Sequence, residues 1–204
     1  MAKLKVKRKS TWIDMTAMSD VTVLLLTFFI LTSTFIKKEP VMITTPGSVS
    51  EIKIPEINIL TILVNPEGRT FMSLDNQANQ ALLLKNVGAK YDITFTDDEL
   101  KKFSLLPTFG TPIDSMKYFL ALKPELQDKM LRTSGIPTDT VSNQFKVWVR
   151  EARSIVGDKT LRIAIKADQA TPYPKIKNIM GSLQDIRANQ FNLITSLKTS
   201  AATD

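Results

Sequence analysis

The chain has 204 residues and a mass of 22.8 kDa, which suits one globular domain with a short appendage. It contains neither cysteine nor histidine, so disulfides, Cys/His zinc sites, Ser-His-Asp catalysis and histidine pH switches are excluded. Its seven glycines are too far apart for a phosphate-binding glycine motif. No grouping of residues predicts an enzyme, a cofactor or a metal site.

The formal net charge of +7 is mostly local. Residues 1–9 hold five lysine or arginine side chains and no acid, which leaves +2 for the rest of the chain. A basic segment directly before an apolar helix is an orientation signal, because positively charged residues stay on the cytoplasmic side of a membrane. We therefore interpret the basic tail as topological and do not predict nucleic acid as a partner.

An apolar stretch over residues 17–36 contains one charged residue, Asp20. Twenty helical residues span roughly 30 Å, the thickness of the hydrocarbon core of a bilayer. The sequence predicts a cytoplasmic tail over residues 1–14, a transmembrane helix over residues 15–36 and a remainder across the membrane. A cleaved signal peptide has the same plan, but this apolar run is unusually long for one and ends without a small-residue cleavage site.

Asp20 is an unusual residue for such a helix, because a carboxylate within a bilayer costs about 2.5–3.5 kcal/mol on insertion scales. Its shallow position could let it reach interfacial water. However, Thr16, Thr27 and Thr34 fall within about 40° of Asp20 on a helix with 100° per residue. This polar stripe predicts burial in an oligomer or a water path, where a carboxyl group can take up a proton on one side and release it on the other.

The run IDMTAMSDV at residues 13–21, followed by LLLTFF at residues 24–29, resembles the ExbD/TolR family. The signature of that family is a polar-x-Thr-Pro-x-x-Asp element that opens a single span after a short tail. Asp20 matches the essential membrane aspartate of the family. The chain departs from the common pattern at Ala17, where many members have proline, and at Asp14, where many have asparagine. Asp14 is then a candidate acid at the cytoplasmic mouth.

The resemblance implies a stator subunit of a proton-driven motor in the inner membrane, with the C-terminal part in the periplasm. Two copies of the chain are expected inside a ring of a polytopic ExbB/TolQ-like subunit. Proton flow through Asp20 would then energise outer-membrane or envelope processes such as TonB-dependent transport, with a TonB-like protein or peptidoglycan as a periplasmic partner. The alternative is a passive anchored adaptor whose periplasmic domain binds peptidoglycan or a partner protein.

Residues 37–56 are rich in proline, threonine and serine and lack helical periodicity, so they are predicted to form an extended linker. The domain follows over residues 57–204. A β-branched run at residues 57–64, a turn at residues 65–68 and a second short run at residues 69–74 predict a β-hairpin.

Residues 75–138 are predicted as a helical insert, of the sort found in ExbD-like proteins of the Bacteroidota type. One helix is expected over residues 76–87, ended by Gly88. Another begins at Thr96, which forms a capping box with Glu99. Four prolines divide the remainder of the insert into helices of one to three turns.

A longer helix is predicted over residues 139–156, followed by a strand over residues 161–167. The pair Thr171-Pro172 predicts the N-cap and first residue of a further helix, and residues 191–197 predict a last strand. The expected fold class is α+β, with a transmembrane helix and a small periplasmic αβ sandwich made of hairpin, helix and strand-helix-strand.

The resemblance further implies two periplasmic landmarks, Asp168 and Tyr173, at a recurring Asp-x(4)-Tyr-like position. The helical spacing of Tyr173 is also compatible with a position in the hydrophobic core.

Overall fold

The structure, a computed structural model, describes residues 15–33, 41, 43–48, 57–139, 142–158, 160–188, 190–194 and 196–197. The chain divides into two compact units, Met1–Lys37 and Lys38–Asp204. The predicted tail over residues 1–14, together with Asp14 and Thr34, lies outside the described residues.

The first unit contains helix α1, Met15–Thr32. Its large apolar side chains are exposed to their surroundings, as Leu24 (60%) and Phe29 (62%) illustrate. The hydroxyls of Thr22 and Thr32 donate to the carbonyl oxygens of Met18 and Phe28, at 2.8 and 2.7 Å. These bonds satisfy polar side chains within the helix itself. Among the residues that the structure describes, no helix combines the length and the apolar character needed to cross a membrane.

The second unit is built on a mixed four-stranded sheet with the strand order β3-β2-β4-β5. In chain order, the strands of the described residues are β1 Gly47–Ser48, β2 Ile59–Val64, β3 Thr70–Leu74, β4 Arg162–Ala167, β5 Phe191–Leu193 and β6 Ser196–Leu197. Strand β3 runs antiparallel to β2, whereas β4 is parallel to both β2 and β5. Strands β1 and β6 form a separate parallel pair.

Six helices of the described residues belong to this unit: α2 Gln77–Lys90, α3 Asp97–Ser104, α4 Ile113–Ala121, α5 Pro124–Thr133, α6 Gln144–Val156 and α7 Tyr173–Asp185. The predicted α+β class is thereby confirmed. The central strands carry apolar side chains that are fully buried, such as Leu60 and Ile62 of β2 and Ile165 of β4. Burial of these side chains joins the sheet and the helices in one hydrophobic core.

The predicted hairpin is confirmed. Gly68 closes the turn with a φ of 78°, a left-handed conformation that favours glycine, and its N–H donates to the carbonyl of Asn65 at 2.9 Å. The amide oxygen of Asn65 accepts from the N–H of Arg69 at 2.8 Å. The turn that the sequence predicts at residues 65–68 therefore forms, and hydrogen bonds of its own residues close it.

The predicted strand-helix-strand is also present as β4, α7 and β5, with two corrections. The Thr171 side chain does not cap α7; it donates to the carbonyl oxygen of Asn65 at 3.0 Å, and Pro172 occupies the N-cap position. The expected single strand over residues 191–197 is two short strands, of which β5 pairs with β4 and β6 pairs with β1. The chain changes sheets within this segment.

Two helix boundaries differ from the prediction. Helix α2 continues past Gly88 to Lys90; a side chain at Gly88 would place its Cβ 2.6 Å from the carbonyl oxygen of Ile93, so this glycine permits a close backbone approach rather than ending the helix. Helix α6 begins at Gln144 rather than 139, because Asn143 caps it by accepting from the N–H of Lys146 at 3.1 Å.

The capping box of α3 is confirmed. The Thr96 hydroxyl oxygen accepts from the N–H of Glu99 at 3.4 Å, and the Glu99 carboxylate accepts from the N–H of Thr96 at 2.8 Å.

Tyr91 directly follows the last residue of α2. Burial, and secondarily the charge of Asp114, raises the pKa of the Tyr91 hydroxyl, which therefore stays protonated at neutral pH.

The helical insert is part of the core. Phe103 and Phe109 from the insert pack their rings against Trp148 of α6, with centroid distances of 6.1 and 4.9 Å, and all three are fully buried. The backbone of Phe109 exchanges two hydrogen bonds with Met72, and the N–H of Ile136 donates to the carbonyl oxygen of Thr70. These bonds occupy the outer edge of β3, so the insert covers a sheet edge that would otherwise be exposed.

Candidate functional site

Asp20 is the single charged residue of α1. It lies in the second turn of the helix and is exposed within this chain. Thr16 precedes it by one turn, and Thr27 follows it by seven residues, about 10 Å along the helix axis. Helical spacing thus places the three polar side chains on one face of α1.

The Thr27 hydroxyl of this face keeps acceptor capacity. The Thr27 hydroxyl donates to the carbonyl oxygen of Leu24 at 3.0 Å, which uses its one hydrogen. The oxygen still has lone pairs that can accept from a water molecule or from another hydroxyl. The face therefore offers a carboxyl group and a hydroxyl oxygen in line along an otherwise apolar helix, which is a chemistry suited to the passage of a proton.

In the second unit, Asp168 lies directly after β4 and is 8% exposed. Its Oδ2 accepts from the N–H of Thr44 at 2.8 Å, and its Oδ1 accepts from the N–H of Ala170 at 2.9 Å. Its own N–H donates to the carbonyl oxygen of Val64 at 2.9 Å. The carboxylate is thus held by two donors and ties three segments of the chain together.

Thr44 belongs to the segment that was predicted as a linker. Its carbonyl oxygen accepts from the N–H of Gln169 at 2.8 Å, and its N–H donates to the Asp168 carboxylate. Both main-chain groups of Thr44 are therefore bonded to the loop after β4. Strand β1 continues this attachment by pairing with β6, and Val41 lies in the hydrophobic core with 8% exposure. Part of the segment between the first helix and the sheet is therefore attached to the folded unit.

Tyr173, the second residue of the Asp-x(4)-Tyr-like position that the resemblance implies, is the first residue of α7 and is 67% exposed. None of the hydrogen bonds described for Asp168 involves it. The structure thus places Tyr173 on the surface, in neither the core nor the Asp168 cluster. In the described part of the chain, no group of three acidic side chains is arranged to hold a metal ion.

The residues that sequence reasoning missed are Thr44 and Asn65, which bind the loop after β4 through Asp168 and Thr171. The hydrogen bond from the N–H of Ala170 to the Asp168 carboxylate is a local turn contact of a kind that aspartate commonly forms. Thr44 carries no such signal, because it lies 124 positions from its partner.

These features define a class: an α+β domain preceded by an apolar helix that carries one acidic residue. The family model described as biopolymer transport protein ExbD/TolR matches residues 6–198. The chain therefore belongs to the ExbD/TolR family, which confirms the resemblance seen in its sequence. Proteins of this family act in biopolymer transport and work with ExbB/TolQ-type partners. Neither the curated proteins nor the solved structures include a match to the chain.

Replacing Asp168 by asparagine is expected to loosen the attachment of residue 44. An asparagine offers one acceptor oxygen, so one of the two N–H groups would face an amide NH₂ instead. We expect a loss of about 1–3 kcal/mol in the free energy of unfolding and faster hydrogen exchange at the Thr44 amide. Asp98→Asn, the same change at an exposed carboxylate, is the control. Unchanged exchange at Thr44 would contradict the role given to Asp168.

Proposed function

We propose that this chain is a stator subunit of a motor that is driven by the proton-motive force across the inner membrane. Residues 15–36 form its single membrane span, of which residues 15–33 are described. The N-terminus lies in the cytoplasm and residues 37–204 in the periplasm. The chain catalyses no covalent reaction; it couples proton flow to work on the outer membrane or envelope, such as TonB-dependent transport.

Asp20 carries this proposal. It is the one ionisable side chain of α1, and a family model for biopolymer transport covers its position. An ionisable residue within a membrane span is costly and typically marks a path for ions or protons. The energy available is sufficient, because one elementary charge crossing 100 mV releases about 2.3 kcal/mol, comparable to the cost of the ionised form in the bilayer.

We propose that other chains surround Asp20. Apolar side chains of α1 such as those of Val21 (57% exposed) and Leu31 (85% exposed) are available for contact with lipid or with other chains. An isolated helix with a polar face is unfavourable in lipid, whereas a second copy and a polytopic ring would cover both faces. We therefore propose a dimer within an ExbB/TolQ-like ring, in which the stripe of Thr16, Thr27 and Thr34 lines the proton path.

The attachment at Asp168 fixes part of the segment that follows the proposed span. Thr44 lies eight residues after the end of the proposed span at residue 36, and its two hydrogen bonds lead to the loop after β4. This arrangement suits a subunit whose periplasmic domain does work on a partner.

Exchanging the span distinguishes this proposal from a passive anchored adaptor. Residues 15–36 would be replaced by an unrelated transmembrane helix of the same length, with the basic tail kept. We expect loss of energy-dependent uptake across the outer membrane, measured in cells that lack their own copy. The control is the exchanged helix with Asp20 and the three threonines restored, which should recover part of the activity. Full activity of the unrelated helix would favour the adaptor.

A further inference from the structure

A concave surface of the second unit is lined by four arginines: Arg150, Arg153, Arg162 and Arg187. Two adjoining hollows form this surface, and Arg153, Asp158 and Arg187 line both of them. It lies where the C-terminal ends of α6 and α7 meet the beginning of β4. We name this surface the arginine groove.

The groove uses arginine rather than lysine. The second unit contains six arginines and 15 lysines, yet four of the six arginines line the groove and none of the described lysines does. Either side chain would supply a positive charge at the surface. Only arginine presents a planar set of N–H donors that can bind two oxygens of one anion at once. The composition of the groove therefore indicates recognition of an oxyanion.

Arg187 occupies a backbone position that glycine normally takes. It follows the end of α7 with a φ of 57°, and the N–H of Ala188 donates to the carbonyl oxygen of Leu183 at 2.9 Å. This is the left-handed residue of a Schellman ending, where a side chain is costly. Arg187 is exposed, and no ion pair joins it to an acid in the described part of the chain. The arginine therefore does not serve the fold at this position.

Arg153 is held in a fixed orientation where the two hollows join. Its Nε donates to Oδ1 of Asp158 at 2.6 Å, and its Nη1 donates to the carbonyl oxygen of Ile186 at 2.6 Å. Only 18% of its side chain is exposed. Neither bond uses Nη2, so the guanidinium keeps N–H donors for an anion. Because the side chain is already fixed, it loses little conformational entropy when it binds one.

The two helix ends explain only part of this charge. Cations are favourable near the C-terminus of a helix, and Arg153 and Arg187 lie at the C-terminal ends of α6 and α7. That effect does not reach Arg162, which belongs to β4. Four arginines against one aspartate give the lining a net charge of +3, whereas residues 10–204 together carry +2. The groove thus concentrates positive charge on a surface that is otherwise nearly neutral.

The amount of charge favours a phosphate group over a single carboxylate. A carboxylate carries one negative charge and would leave most of the excess in the groove. A phosphomonoester carries about −1.5 to −2 at neutral pH and has three strong acceptor oxygens. The apolar residues of the lining, Leu161, Ile163 and Ala188, are buried and offer little surface to a ligand. The groove therefore fits a charged headgroup rather than an apolar molecule.

We propose that the arginine groove binds a multiply charged phosphate group, either a phosphomonoester or a diphosphate. Arg153 binds it where the hollows join, and the exposed guanidinium groups of Arg150, Arg162 and Arg187 bind its remaining oxygens. Such a group can be free in solution or borne by a lipid, and the chemistry of recognition is the same. This site is separate from Asp20 and does not depend on the proposed proton path.

The test is isothermal titration of inorganic pyrophosphate into the full-length chain in nanodiscs of phosphatidylcholine. We expect saturable binding that weakens with salt and exceeds the binding of acetate. Arg150→Gln/Arg162→Gln should weaken it by about tenfold, the loss expected for two ion pairs at an exposed site. Arg150→Lys/Arg162→Lys keeps the charge and should still weaken it, because lysine lacks the planar donor set. Lys101→Gln/Lys102→Gln removes the same charge from α3 and should leave the affinity unchanged.

Arg187→Gly separates binding from folding. Glycine suits the left-handed conformation, so this variant should unfold at no lower a temperature than the unmodified chain while it binds pyrophosphate more weakly. Asp20→Asn should bind pyrophosphate as the unmodified chain does, which keeps this result independent of the proposed proton carrier. Circular dichroism of each variant verifies that the fold is retained.

A second arm identifies the source of the phosphate. It measures co-flotation of the nanodiscs with vesicles that contain phosphatidic acid, against vesicles of phosphatidylcholine alone. Arginine-dependent binding of these vesicles without binding of pyrophosphate assigns a lipid-borne group, and the reverse result assigns a free one. Absence of both kinds of binding would overturn the proposal. So would equal affinity of Arg150→Gln/Arg162→Gln, or binding of acetate or polyglutamate as tight as that of pyrophosphate.

Discussion

Replacing Asp20 by asparagine is expected to abolish the energy-driven activity of this ExbD/TolR-family chain while leaving it in the membrane with its partner subunits. Asparagine has nearly the same size and keeps a polar group on the same face of α1. It cannot bind and release a proton, so the proposed path is interrupted at its one ionisable side chain. We expect energy-dependent uptake across the outer membrane to fall to the level of cells that lack the protein.

Three measurements make this result specific. Co-purification of the polytopic subunit with Asp20→Asn verifies assembly. Asp20→Glu keeps a carboxyl group and should retain part of the activity, because the chemistry survives although the length of the side chain changes. Thr27→Val removes a hydroxyl of the same face and should reduce activity less. Normal activity of Asp20→Asn would refute the assignment of Asp20 as the proton carrier.

Replacing Trp148 by alanine is expected to produce the largest loss of stability in the second unit. Trp148 is fully buried, and its ring packs against Phe103 and Phe109 at 6.1 and 4.9 Å. Truncation of a buried aromatic side chain leaves a cavity and typically costs about 3–5 kcal/mol. The measurement is the free energy of unfolding of the full chain, followed by far-ultraviolet circular dichroism, since the substitution removes a fluorophore.

Two variants serve as controls for Trp148→Ala. Trp148→Phe should cost far less, because it keeps an aromatic ring and removes Nε1, a buried donor without a hydrogen-bond partner among the described residues. Tyr173→Ala removes an aromatic side chain that is 67% exposed and should change stability by less than about 0.5 kcal/mol. A loss below about 1 kcal/mol for Trp148→Ala would contradict the integrated core.

The outcome also bears on the helical insert. Phe103 and Phe109 come from the segment that resembles an addition in sequence, yet their partner Trp148 lies in α6. If the insert were only a surface addition to the domain, truncating Trp148 would destabilise α6 alone. A cooperative loss would instead show that the insert and the sheet unfold together.

The features that follow from short-range chemistry were predictable from the sequence. The hairpin turn at Asn65 and Gly68, the capping box of Thr96 and Glu99, and the presence of strand β4 all depend on residues within a few positions of one another. The candidate proton carrier also rests on local pattern, and it stays a prediction. Asp20 stands out because a charge in an apolar run is conspicuous, and because helical periodicity alone relates it to Thr27.

Other features depended on contacts between distant residues. Two helix boundaries were mispredicted for local reasons instead, because Asn143 caps α6 through the N–H of Lys146 and Gly88 lies close to the carbonyl oxygen of Ile93. The hydrogen bond of Thr44 to Asp168 joins residues 124 positions apart, and no periodicity relates them. The last strand was divided between two sheets by pairing partners that the segment itself does not specify.

The sequence by itself thus determined the class of the chain, the position of its candidate proton carrier and the local elements, since composition, charge order and periodicity are properties of neighbouring residues. Only the tertiary structure decided that the insert covers β3 and that the segment after the helix is attached at Asp168. The physical reason is that packing and long-range hydrogen bonds select among arrangements that local propensity leaves nearly equal in free energy.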